Sequence, residues 1–423
     1  MTGRIGITCA PKSDNNFNKD LYFKKIETLE VTHNSIKLNY LLNIDDSNRD
    51  KLNIMVEVNG ETYNNITVDK INRTVTINNL NPETDYNINL IASFEPYVER
   101  SKTIKHRTLY APPSTLVKGS DISRIIIEQY NNRISKVVFE KGIPQNIHEK
   151  NPIDVSEKQD KSILSFEENE IMHVVSNGKI FANKDSSCMF FYFDGDRYTS
   201  WLNSIEFKNF DTSNVTDMSR MFGDDYPMNI IEIKGIELFD TSKVTNMACM
   251  FNGCNKITSL NISNWNTNNV TDMSRMFMGC TSLTALNINN WNTNNVINMN
   301  HMFDSCSSLT NIDISNFNTS QVTDMEDIFG YCSSLISIKG LENFDTNNVT
   351  NMSYMFGSCN KLSGSITIMN PHTGNYGSMF TNCSTDPSSK FYVNYTGDFT
   401  KEIAKKMVAT KSSNSNVVLG TLQ

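Results

Sequence analysis

Apolar and polar positions follow two rhythms along this chain. Between residues 27 and 109 the runs SIKLNYLL, LNIMVEVNG, TYNNITVD, RTVTINNL and DYNINLIASF alternate apolar with polar, and Asn, Gly or Asp turns separate them. A period of two places one face of a strand in a core and the other in solvent, so this stretch predicts an antiparallel β-sandwich. Further along, the phrase WNTNNVTDMSRMFMGCTSL at Trp265–Leu283 returns as WNTNNVINMNHMFDSCSSL at Trp291–Leu309. An aromatic before Thr recurs at Phe210, Phe239, Trp265, Trp291, Phe317 and Phe344, at intervals of 26 to 29 residues. A second Phe recurs at 222, 251, 277, 303, 329, 356 and 380, and most copies carry a Cys three residues later.

Each repeat holds two local patterns. Val270, Met273, Met276 and Phe277 are spaced for one or two helical turns, with Thr271-Asp272 as capping oxygens. Leu283, Leu286 and Ile288, like Leu309, Ile312 and Ile314, predict a short strand with one buried face. Such a unit cannot bury its own apolar face, whereas stacked copies can, so the expected fold is a solenoid of 26-residue coils.

The L-x-x-L-x-I spacing followed by Asn, with FDTSNVTDMSRMF at Phe210–Phe222, closely resembles the BspA-like leucine-rich-repeat family of bacterial surface proteins over about 205–385. That resemblance implies a right-handed leucine-rich-repeat-like solenoid and a role in recognition rather than catalysis. Upstream, Leu80-x-Pro82-x-Thr84-x-Tyr86 is similar to the tyrosine-corner phrase of fibronectin type III modules, which implies a hydrogen bond from Tyr86 back to the corner backbone. Tyr40 stands where that family usually has Trp. The whole chain is therefore expected to be multidomain and β-rich: an N-terminal docking segment (1–26), a fibronectin type III-like β-sandwich (27–110), a linker and β-hairpin segment (111–164), a solenoid N-cap (165–205), the leucine-rich-repeat-like solenoid (206–385) and a C-terminal cap (386–423). The linker is marked by APPS at Ala111–Ser114 and the hairpin by two strands around Asn131-Asn132. The C-terminal cap reads as strand, amphipathic helix with Ile403, Ala404 and Met407 on one face, then strand.

The recurring residues admit chemical readings, each weighed against packing. One Cys per coil (Cys254, Cys280, Cys306, Cys332, Cys359, Cys383) with no companion His favours buried reduced thiols over disulfides or a metal site. Cys9, Cys188 and Cys249 fall outside that column. The aromatic column could present a sugar-binding stripe, but a core spine is preferred because aromatic character persists in every coil. Met218, Met221, Met247, Met250, Met273 and Met276 are assigned to the core. The outward strand positions are the candidate ligand-binding face: Thr258 and Asn261; Thr284, Asn287 and Asn289; Thr310, Asn311 and Asp313; Ser337 and Lys339. A merely solvated face is the equal alternative.

Composition narrows the function classes. A net charge of −8, from 38 basic and 46 acidic residues without a basic block, argues against nucleic-acid binding. No run of 18 apolar residues suggests membrane insertion, and the first 25 residues lack a signal-peptide core. His33, His106, His148, His173, His301 and His372 lie in unrelated contexts, His301 at a varied and expectedly exposed repeat position. With no G-x-S-x-G, HExxH or phosphate-cradling loop, catalytic residues, metal ligands and cofactors are all expected to be none. The function expected is a non-enzymatic receptor-binding protein of a phage tail or phage-tail-like bacteriocin, assembled in the cytoplasm and acting outside. Its partners would be a bacterial surface protein or glycan at the solenoid and a tail or baseplate protein at the N-terminal segment. The alternative is a cell-surface adhesin for host or matrix ligands. Whether the chain forms a homotrimer is left open.

Overall fold

The computed structural model describes residues 21–423 apart from 45, 82–83, 95–96, 110–113, 131–132, 145, 192, 195–196, 199–200, 224, 371 and 373. Most of the expected docking segment, most of the APPS linker, Pro82 and the Asn131-Asn132 pair lie outside the described residues. The chain divides into two compact units, one built from residues before 114 with the short pieces Lys141–Glu149 and Ser176–Lys179, the other from the remainder.

In the first unit, strands Phe23–Val31, Ile36–Leu42, Thr74–Ile77 and Ile66–Asp69 form one antiparallel sheet in that order. Strands Glu61–Tyr63, Asn53–Val58, Asp85–Phe94 and Tyr97–Arg100 form a second, and Ile104–Arg107 also pairs with Asp85–Phe94. The alternation read from the sequence sets the faces: Ile36, Leu38, Tyr40 and Leu42 from the first sheet share one buried cluster with Ile54, Val56, Ile88 and Leu90 from the second. Tyr86 Oη accepts the N–H of Asn81 at 2.7 Å, the backbone contact expected of it.

In the second unit SRIIIEQY is not the first strand of a hairpin: Ser123–Glu128 lies in helix Gly119–Glu128, with Gln129 as its C-cap, while Lys136–Lys141 is a strand. The three consecutive Ile residues suggested β structure, yet Ile122 and Ile126 are four apart and both buried, a helical spacing that the core rewards. The strand Lys136–Lys141 pairs in parallel with Ser204–Phe207, which pairs in parallel with Glu232–Lys234. At the far end Gly364–Ile368, Phe391–Tyr395 and Val417–Leu422 run in parallel, with helix Asp398–Val408 burying Ala404 and Met407.

Between these ends the repeats stack in register. A column of single parallel bridges links Asp185, Asp217, Asn246, Asp272, Asn298, Asp324, Asn351 and Asn375, one per unit. The expected helical turns at 270–277 are absent, and the reason is local. Asp272 Oδ1 accepts the N–H of Ser274 at 2.8 Å, and Arg275 sits at φ +55°, a left-handed conformation that no α-helix propagates. Cys249, Arg275, His301, Asp327 and Tyr354 all occupy this position at φ between 49° and 58°. Their N–H groups reach the next unit, as in Arg275 to Asn300 O at 2.9 Å and His301 to Glu326 O at 2.8 Å.

The expected strands are likewise only partly formed. Asn311–Asp313 pairs with Ser337–Lys339, whereas no strand is assigned around Leu286 and Ile288. Burial still alternates there, with Leu286 and Ile288 inside and Asn287 outside. Side-chain burial alone can impose a period of two; a ladder also needs regular backbone bonds, and Thr284 N–H to Thr258 O at 3.3 Å is the contact this segment supplies.

Four buried columns tie the units together. Phe222, Phe251, Phe277, Phe303, Phe329, Phe356 and Phe380 stack with centroids 5.3 to 6.1 Å apart and planes within 10°. Trp265 and Trp291 stack at 6.3 Å, are almost wholly buried, and donate Nε1–H to the Ile236 and Ile262 carbonyls. They are spine rather than sugar stripe. Each column Cys is a free thiol; Cys280 Sγ donates to Phe251 O at 3.2 Å and Cys332 Sγ to Phe303 O at 3.1 Å. The fourth column is Thr: the buried Thr293 hydroxyl donates to Asn318 O at 2.9 Å and accepts the Asn318 N–H at 2.8 Å, and Thr241 and Thr267 repeat the pattern.

Replacing Thr293 by Val keeps the shape but strands a buried N–H and C=O, so urea unfolding should show a loss of roughly 1–3 kcal/mol. The exposed Thr284→Val should stay within about 0.5 kcal/mol. The column thiols should also be silent to a thiol reagent in the native chain and react once it is denatured, since burial pushes Cys280 and Cys383 up to about 12.

Candidate ligand-binding face of the repeats

The candidate face is made by segments that follow each column Cys. Turns anchored at Cys280 and Cys306 send Leu283 and Leu309 inward, and the chain then runs extended, alternating between core and surface. Thr258, Asn261, Thr284, Asn287, Thr310, Asn311, Ser337 and Lys339 are exposed; Asn289 and Asp313 are half-buried. Because units stack in parallel, equivalent positions become neighbours. Asn311 lies opposite Ser337 and Asp313 opposite Lys339, while Thr284 Oγ1 donates to Thr258 O at 3.4 Å. Ser337 Oγ donates to Asn311 Oδ1 at 2.8 Å and Lys339 Nζ to Asp313 Oδ2 at 2.7 Å. Asn289 holds its neighbour through the backbone, its carbonyl accepting Asn316 Nδ2–H at 2.5 Å.

Chemically this face offers hydroxyls and amides that donate and accept with equal ease. Of the ten residues only Asp313 and Lys339 titrate, and they neutralise each other. The Lys339 ammonium, with the Ser315 hydroxyl and N–H, holds the Asp313 carboxyl down at about 2. Such a surface suits polar recognition better than proton transfer, since none of its other groups changes charge near neutral pH.

Several features escaped the sequence. The Thr before each Asn-rich turn has no apolar or catalytic signature in the sequence, though its burial and its two bonds make it a structural column. The Asn-richness itself has a role between units: Asn269, Asn295 and Asn348 donate Nδ2–H to the carbonyls of Ser242, Asn268 and Ser320 at 2.6 to 2.7 Å. Cys249, which had no pattern in the sequence, occupies the left-handed column. His301, expected to be exposed, keeps only 18 % of its side chain accessible and lies against Asp304 and Asp327. The signal available was that Asp304 replaces neutral residues at its repeat position and that Asp327 is the acid at a position held by Arg275, His301 and Tyr354 in the neighbouring units.

With this geometry in hand, comparison with known proteins is informative for the repeats. Residues 188–289 and 281–392 each match the family described as Mycoplasma protein of unknown function, DUF285. The two matches overlap and together span residues 188–392, the repeat region of this β-rich chain. No curated protein and no solved structure matches the chain. Among the described residues no helix is long and apolar enough to cross a membrane.

The Asp313–Lys339 pair gives a test with a defined sign. Its folded carboxyl is depressed, so its stabilisation is present above pH 4 and lost as pH falls towards 2. The pair is largely exposed, so Lys339→Met should cost no more than about 1 kcal/mol at neutral pH. NMR titration should show the Asp313 carboxyl moving back up towards its ordinary value of 3.8.

Proposed function

We propose that this chain is a non-enzymatic recognition protein. In this reading the stacked repeats are a leucine-rich-repeat-like solenoid, and the first unit is a fibronectin type III-like sandwich acting as spacer. The solenoid's Thr/Asn/Ser face, with the Asp313–Lys339 pair at one end, engages a surface protein or glycan. The observation that carries the reading is the alignment of exposed, neutral hydrogen-bonding groups from successive units over a rigidly packed core. Adaptable hydroxyls and amides on a preordered scaffold lose little entropy on binding.

Two settings are compatible with this chemistry. One is the receptor-binding protein of a phage tail or tail-like particle; the other is a cell-surface adhesin, in line with the resemblance of the repeats to BspA-like bacterial surface proteins.

Labelled full-length chain should bind saturably either to host matrix proteins and cells or to a narrow set of intact bacterial strains. The first outcome supports the adhesin, the second the tail-borne protein. Changing Thr284, Asn287, Thr310 and Asp313 together to Lys should leave circular dichroism and solubility intact and weaken binding at least about tenfold, since each charge opposes a face built of neutral groups. Unchanged binding by a folded variant would sink the assignment of this face.

A further inference from the structure

A repeat this regular makes its departures visible. At the position of Glu326 the neighbouring units carry Ser274, Asn300 and Ser353, and at the position of Asp304 they carry Met278, Gly330 and Gly357. Two adjacent units alone replace these residues with acids and bring a histidine against them. One ligand atom each from His301, Glu326 and Asp327 lies within 4.8 Å of the others. Asp304 Oδ2 is 3.2 Å from His301 Nδ1, and Ser305 Oγ donates to Asp304 Oδ1 at 2.9 Å. Glu326 is held by Asn351 Nδ2–H at 3.2 Å and by the Ser353 hydroxyl at 3.0 Å.

Asp327 is the residue that packing does not explain. It is only 9 % exposed, its Oδ1 is buried with no hydrogen-bond partner, and its Oδ2 stands 3.9 Å from His301 Nδ1, beyond hydrogen-bond length. An uncompensated carboxylate so placed costs free energy that nothing in its unit returns. Arg275 of the preceding unit stands 3.9 Å from Asp225.

We infer that His301, Glu326 and Asp327 form a binding site for a divalent transition-metal ion, Zn²⁺ by its ligand set, with Asp304 orienting the imidazole. One imidazole and two carboxylates are a mixed nitrogen and oxygen donor set that such ions accept. A carboxylate bound to a ring nitrogen is the usual outer partner of a ligating histidine. Donors bound to a tetrahedral ion at about 2.1 Å stand about 3.4 Å apart, so side-chain rotations that shorten the present spacing, up to 4.8 Å, by at most about 1.4 Å close the site. The ion would bridge two consecutive units and clamp the stack in its middle.

The test is made on the full-length chain stripped with a chelator. Calorimetric titration with ZnCl₂ should give one equivalent bound, and Zn²⁺ should raise the unfolding midpoint by several degrees. Glu326→Ser and Asp327→Tyr install residues that the next unit carries at the same positions, Ser353 and Tyr354, and should weaken binding at least about tenfold. X-ray absorption of the wild-type complex should show nitrogen and oxygen neighbours only. Absence of binding, unchanged affinity in both variants, or sulfur in the coordination shell would each overturn the assignment, and the absorption measurement does so without any variant.

Discussion

Every repeat unit ends in backbone polar groups that it cannot satisfy alone. The Phe N–H, the N–H of the left-handed residue and the Asn N–H and C=O held by Thr all find their partners in an adjacent unit. A buried N–H or C=O left unpaired costs more than a made bond returns, so this dependence on neighbours governs the rest of the stack. It explains why the units keep register, why Thr is buried at each turn, and why the Cys thiol donates to a Phe carbonyl of the preceding unit. The apolar columns supply the attraction. The hydrogen bonds decide the register in which that attraction operates.

Magnitudes show which effect wins. Holding a non-glycine residue in the left-handed region costs about 1–2 kcal/mol. Each unit accepts that cost at Arg275, His301 or Tyr354 and their equivalents, and some units accept it again, as at Ser305, Tyr331 and Ser358. Burying its Phe alone is worth about 1.5–3 kcal/mol, and two buried Met or Ile side chains add to this. The strained turn is therefore affordable in every unit, because it delivers the Phe to the column and an N–H to the next carbonyl.

The same regularity separates structure from function. Positions that face the core, or that bond from unit to unit, are constrained to a narrow set of residue types. Positions on the candidate face vary, and so do the side chains at the left-handed position of His301 and Asp327, where only the backbone bonds to the next unit. Small neutral groups on the face and a concentrated acid–imidazole cluster in the middle of the stack are different uses of that freedom, so they answer to different experiments.

Much of this was legible in one dimension. The period of 26 to 29 residues, the core identity of the Phe, Met, Trp and Cys columns, and the outward alternation at Asn287 or Asp313 follow from the sequence, because burial pattern and spacing are local properties of a repeating chain. What the sequence could not determine depended on partners far along the chain. Asp272 reads as a helix cap until its neighbour Arg275 is seen in a left-handed turn bonded to the next unit. SRIIIEQY reads as a strand until a core requires Ile122 and Ile126 on one face. His301 reads as exposed until stacking brings Asp327, a residue of the following unit, against it. Residue type and spacing set which groups are buried; only the tertiary stack decides which groups they meet there.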